Sequence, residues 1–92
     1  LIERNEPMSE NIITFYTRKG CTLCDKAKAQ ILELKDSYPF TLAEIDIAKS
    51  DELTERYGMM IPVVLLNGEE IGFGIINKFD ISNRLQEKTL NL

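Results

Sequence analysis

Ninety-two residues include eleven Lys and Arg, fifteen Asp and Glu, two cysteines and no histidine, for a formal charge of −4. That length allows one domain with a modest core, and 43% hydrophobic with 28% charged residues is too apolar and too mixed for a disordered chain. The acidic balance argues against nucleic acid and membrane surfaces as partners, two cysteines without histidine are too few for a disulfide scaffold or a one-chain zinc site, and no Ser-His or Cys-His catalytic pair can be built.

Residues 1–11 are polar, acidic and without period. They are read as disordered or left over from expression, with Met8 as the natural start and Leu1–Pro7 as the remnant. The domain is read as residues 12–92. Its longest apolar run, Met59–Leu66, is interrupted by Pro62 and falls well short of the roughly 20 residues of a membrane span.

Ile12–Thr17 is a β-branched and aromatic run, the first strand. Arg18, Lys19 and Gly20 form a loop. From Thr22 to about Ser37 the pattern is helical, with Leu23, Ala27, Ile31 and Leu34 on one face. Pro39 stops that helix, and Phe40–Ile47 is the second strand. Ser50 is placed as an N-cap, with Asp51 and Glu52 in the first turn where carboxylates suit the dipole. Gly58 ends this short helix. Ile61–Leu66 is the third strand. Asn67-Gly68 is a hairpin signal, because a type I′ turn needs positive φ at both centres. Glu69–Phe73 is the fourth strand. Asn77 caps the last helix, with Asp80 at the capping-box position and Ile76 and Ile81 as a hydrophobic staple.

The order β-α-β-α-β-β-α predicts an α/β domain. The first βαβ unit is parallel and right-handed. The hairpin adds an antiparallel pair, so the sheet is mixed and four-stranded with helices on both faces.

Cys21-Thr22-Leu23-Cys24 lies where the first strand gives way to the first helix. Unpaired N–H groups and the dipole at a helix start stabilise an anion. A thiolate there has a lowered pKa, and the thiolate is the nucleophile. Arg18 and Lys19 add positive field, Gly20 lets the backbone pass close to the sulfur, and Asp25 opposes them by like-charge repulsion. The donors and dipole outweigh Asp25, for an expected Cys21 pKa of roughly 5–7. The spacing supplies a second step: Cys21 attacks a disulfide, and Cys24, one turn on, resolves the mixed disulfide. Cys21 is expected at the exposed helix tip and Cys24 facing inward. Two other readings of the pair are core filler and half of a metal site shared with a second chain.

Pro62 opens the third strand, where a proline is tolerated at the first position. A cis Ile61–Pro62 bond would turn the preceding backbone outward and offer the Ile61 N–H and C=O to an extended peptide. Trans is the commoner state of such bonds.

Between Ile12 and Leu90 the chain resembles the glutaredoxins and, more broadly, the thioredoxin fold. The resemblance rests on ITFYTRKGCTLCDKAK, on ERYGMMIPVVLLNGEEI and on the order of elements. It is strongest to the small glutaredoxin-like proteins with a G-C-x-L-C motif. It implies that Cys21 is the nucleophile, Cys24 resolves, Pro62 is cis, and the strand order is 2-1-3-4. It also implies a glutathione site. Arg18 or Lys19, with Arg56 as a second anchor, would meet the glycyl carboxylate. Ile61 and Pro62 would hold the cysteinyl unit, and Gly72 and Asn77 the γ-glutamyl end. Thr22-Leu23 stands where dithiol glutaredoxins carry a Pro-aromatic pair. Gly72-Phe73-Gly74 interrupts their Gly-Gly turn and is expected to place a ring in the way.

The expected function is thiol-disulfide exchange on protein or glutathione mixed disulfides by a cytoplasmic monomer. No cofactor is permanently bound, no metal site is expected, and glutathione is a candidate reductant. Two alternatives stay open. One is a dimer carrying an iron–sulfur cluster through Cys21 of each chain and two glutathione thiolates. The other is a redox-inert binding module that keeps the fold.

Overall fold

The computed structural model describes residues 11–90, and side chains through Lys88. Four strands, β1 (Asn11–Thr17), β2 (Phe40–Asp46), β3 (Val63–Leu66) and β4 (Glu69–Phe73), and three α-helices, α1 (Thr22–Glu33), α2 (Asp51–Tyr57) and α3 (Lys78–Leu90), follow the expected order. The sheet runs β2-β1-β3-β4. β1 and β2 are parallel, from Asn11 opposite Phe40 to Thr17 opposite Asp46. β3 lies antiparallel to β1 and to β4.

Alternation along the central strands divides the interior in two. One face holds Ile13, Phe15, Val64 and Leu66 against Cys24, Ala27 and Ile31 of α1 and Ile81 and Leu85 of α3. The other holds Val63 with Ile47 and Tyr57, flanked by Tyr16, Leu53 and Leu65. Tyr16 and Tyr57 stack there with ring centroids 4.4 Å apart. Helices therefore cover both faces, as the apolar spacing predicts.

The turn chemistry is as read at Asn67 and Gly68, whose φ angles are 52° and 89°. Asn67 has a second duty. Its Oδ1 accepts from the Ile12 N–H at 2.9 Å, and its Nδ2 donates to Asn11 Oδ1 at 3.0 Å. This corrects one boundary. Asn11 belongs to β1 and is a buried polar residue with its own partner, so the first strand starts one residue earlier than the sequence pattern suggests. The remainder of the predicted N-terminal segment lies outside the described residues.

Other element ends differ for local reasons. α1 stops at Glu33 and tightens into a 3₁₀ turn over Leu34–Asp36, closed by the Ser37 and Tyr38 N–H groups on the Leu34 carbonyl. β2 ends at Asp46, whose carboxylate accepts from the Ala48 N–H and starts a 3₁₀ turn. Ser50 caps α2 through Leu53 N–H as expected. Gly58 does end α2, yet with φ −55° it is not left-handed; a Cβ there would lie 2.5 Å from the Thr54 carbonyl oxygen. β3 begins at Val63 because the Met60 and Ile61 N–H groups both turn back to the Tyr57 carbonyl.

The last helix starts after Asn77 without a capping box. Asn77 Oδ1 accepts from Phe79 N–H at 2.8 Å, and the Asp80 N–H goes to the Asn77 carbonyl. Ile76 and Ile81 both reach the same core cluster. Gln30 of α1 completes the start of α3. It donates to the Ile76 carbonyl and accepts from Lys78 N–H, each at 2.8 Å.

Candidate dithiol site

Parallel β1 ends at Thr17, and the chain must reverse to lay α1 across the sheet. Gly20, at φ 81°, makes that reversal in a region that favours glycine. Cys21 follows as the N-cap of α1, in extended conformation. Its sulfur accepts from the Cys24 backbone N–H at 3.1 Å. A donor aimed at the sulfur favours its charged form. Cys21 and Cys24 are joined as a disulfide, with Cα atoms 5.1 Å apart. Cys21 is half-buried and Cys24 is buried at 1% exposure, beside Ala27 and Ile31. The inward second cysteine is as predicted. The first is less exposed than a bare helix tip, because it packs against the edge of the core together with Ile61.

The Ile61–Pro62 bond is cis. The Ile61 backbone is engaged within the fold. Its N–H donates to the Tyr57 carbonyl at 3.0 Å, so it is not offered to a ligand. Pro62 is fully buried. The Pro62 carbonyl accepts from Gly74 N–H at 2.8 Å, and the Met60 carbonyl accepts from the same group at 3.1 Å. The loop before β3 and the loop after β4 are thereby joined.

Beside the dithiol, above the parallel ends of β1 and β2, is an open groove of about 680 Å³. Arg18 and Lys19 line it as expected. Lys49, Asp25, Asp46 and Glu44 line it too, over Ile45 and Leu53. Lys49 was not singled out in the sequence; the signal for it is the topology, since the residues after β2 must stand next to those after β1. Glu44 is paired with Lys28 at 2.9 Å. Arg56 does not join this groove and instead lies over the Tyr57 ring at 5.2 Å.

Gly72 and Asn77 are engaged within the fold. Gly72 is packed under Ile76, where a Cβ would meet the Ile76 side chain at 3.3 Å. Asn77 is used as a cap. The start of α3 is docked on Gln30, nine residues after Cys21, which corresponds to about 13 Å along α1. The expected obstruction by Phe73 is also corrected. Phe73 is opposite Val63, and Gly72 is opposite Val64. Opposed residues share a face, so the Phe73 ring is on the α2 side of the sheet, away from Ile76 and the start of α3.

The sequence profile of the glutaredoxin-like domain (DUF836) matches residues 12–91. The chain belongs to the glutaredoxin-like family. Over 68 residues it is 32% identical to the uncharacterized protein Rv0508 of Mycobacterium tuberculosis and to Mb0520 of Mycobacterium bovis, covering 68% of this chain and 70% of each relative. Among solved structures it is similar to Ne2328 from Nitrosomonas europaea, with TM-score 0.72, 25% identity, and 92% and 99% of the two chains covered. A thioredoxin variant from Halobacterium salinarum superposes with TM-score 0.67 at 18% identity, over 86% of this chain and 74% of that one. Thus the glutaredoxin-like chain has the thioredoxin fold, and its cysteine pair at disulfide distance supports a redox-type function. Among the described residues no helix is long and apolar enough to cross a membrane.

Proposed function

We propose that this glutaredoxin-like protein is a dithiol thiol-disulfide oxidoreductase acting on protein or glutathione mixed disulfides. The observation that carries the reading is the Cys24 N–H directed at the Cys21 sulfur from the first turn of α1, with the Cys24 side chain buried behind it. In the reduced protein the same donor and the helix dipole favour the Cys21 thiolate. That thiolate attacks a substrate disulfide, forming the Cys21 mixed disulfide and expelling one substrate thiolate. Cys24 loses its proton and attacks the Cys21 sulfur. This breaks the mixed disulfide and closes the Cys21–Cys24 bond. Two electrons pass from the dithiol to the substrate, and the released sulfurs take up two protons. An external thiol, glutathione as the candidate class, restores the dithiol by the reverse exchange. The protein works as a monomer in the reducing cytoplasm and keeps no resident cofactor.

Glutathione itself is held weakly in this reading. Arg18, Lys19 and Lys49 suit one carboxylate. Asp25 and Asp46 lie in the same groove and oppose it. The start of α3 is too far along α1 to hold the other end closely.

Cys24→Ser tests the mechanism. It should leave substrate proteins attached to Cys21 on a non-reducing gel, released by added thiol, while Cys21→Ser captures nothing. Turnover of protein disulfides by Cys24→Ser at the wild-type rate without added thiol would overturn the dithiol step.

A further inference from the structure

The two flanks of the cysteine pair differ in charge. β3 and β4 lie to one side of β1. The connection into β3 (58–62) and the connection after β4 (74–77) carry no charged residue. Arg56, just before the first, lies over the Tyr57 ring, and Lys78, just after the second, is paired with Glu33 at 2.6 Å. On the β2 side the groove gathers Arg18, Lys19 and Lys49 with Asp25, Glu44 and Asp46. Two of those carboxylates have partners: Glu44 meets Lys28, and Asp46 accepts from the Ala48 N–H. Among the described residues the exposed Asp25 side chain has no ion pair or hydrogen bond.

Asp25 is also the acid tied most directly to the nucleophile. Its N–H donates to the Cys21 carbonyl at 3.1 Å, one helical turn on. Residues four apart share a helix face, and helical side chains tilt toward the N-terminus. The Asp25 side chain therefore leans toward the turn that holds Cys21. A carboxylate there acts on one redox state only. In the disulfide the Cys21 sulfur is neutral. In the dithiol it is the thiolate, and a like charge nearby raises its free energy. Raising the reduced state moves the equilibrium toward the disulfide. Resting on the dithiol reading above, we infer that Asp25 acts through the Cys21 sulfur to make this pair a stronger reductant, and so biases the direction of exchange toward reduction of the substrate.

The exchange that reports this balances with glutathione disulfide as the oxidant. The dithiol gives up two electrons, the Cys21–Cys24 bond forms, and the glutathione S–S bond breaks. Two glutathione thiols leave, one with the Cys24 proton and one with a proton from water.

Wild type, Asp25→Asn and Asp25→Glu, each equilibrated without oxygen against glutathione and its disulfide, test the inference. The fraction of dithiol is read by mass after alkylation. At pH 8, above the range expected for Cys21, Asp25→Asn should favour the dithiol by about threefold more than wild type, the scale of exposed charge pairs. Its Cys21 alkylation inflection should fall by the matching amount, about half a unit. Asp25→Glu keeps the charge and should stay near wild type. Salt at roughly 1 M should shrink the difference between Asp25→Asn and wild type, because exposed charges are screened. Asp25 also suits the α1 dipole, but that contribution is common to both redox states and moves neither readout. An unchanged equilibrium in Asp25→Asn, a shift without the matching inflection, an Asp25→Glu that behaves like Asp25→Asn, or a difference undiminished by salt would overturn the role of Asp25 and leave the dithiol reading intact. A wild type that exchanges no electrons with glutathione disulfide would sink both.

Discussion

The Cys24 backbone N–H lies 3.1 Å from the Cys21 sulfur, and the Cys24 side chain is buried in the core behind it. In the proposed mechanism one residue thus serves twice: its backbone prepares the nucleophile and its thiol takes the second step. The N-cap position makes this possible, since a cap side chain accepts from the N–H groups that have no partner within the helix.

The first prediction concerns that asymmetry. The rate of alkylation of the reduced protein against pH should show an inflection below the free thiol value of about 8.5. It should be kept in Cys24→Ser and lost in Cys21→Ser. An inflection that follows Cys24 would reverse the two roles.

Glutathione recognition is predicted to depend on the charged groove and not on the ring at Phe73. Lys19→Ala and Lys49→Ala should each slow turnover of a glutathionylated peptide by up to about fivefold, the modest worth of exposed ion pairs. Phe73→Gly should bring no gain, because its ring is on the α2 face. A clear gain in steady-state turnover with Phe73→Gly would show that the ring reaches the substrate.

Gln30 should matter more to the fold than its partly exposed position suggests. Gln30→Leu leaves the Ile76 carbonyl and the Lys78 N–H without their side-chain partner, at a cost of about 1–3 kcal/mol. Gln30→Glu keeps an acceptor for Lys78 N–H and should lose less. Urea denaturation measures both, and the Cys21 alkylation profile should not move in either. Wild-type stability for Gln30→Leu would contradict the assigned bonds.

Asn67 joins a turn requirement to a sheet requirement. Asn67→Ala puts alanine at φ 52° and removes the bonds to Ile12 and Asn11, for a loss of about 1–3 kcal/mol. Asn67→Gly relieves the backbone term and retains only the loss of side-chain bonds, so its thermal midpoint should fall between those of Asn67→Ala and wild type. Equal midpoints for the two variants would mean the backbone conformation contributes nothing there.

The sequence by itself determined the elements and the placement of the cysteine pair, because both rest on local physics. Alternating β-branched strands, the 3.6-residue spacing of Ala27, Ile31 and Leu34, the Asn67-Gly68 turn and the Ser50 cap depend on near neighbours. The same is true of Cys21 and Cys24, which share one turn at one helix start. Tertiary structure decided what surrounds them. Lys49 joins Arg18 and Lys19 only because β2 lies parallel to β1. Arg56 stays away because its helix end turns it onto Tyr57. The Ile61 N–H is taken by a carbonyl four residues back, and Phe73 falls on the far face because of its register with Val63. Gln30 meets the start of α3 across 46 residues of chain. The groove, the face of Phe73 and the Gln30 contact depend on register or on elements packing at long range, while the Arg56 and Ile61 contacts are made within a few residues of chain. Hydrophobic periodicity encodes which face is buried, but not which polar groups meet once the faces close.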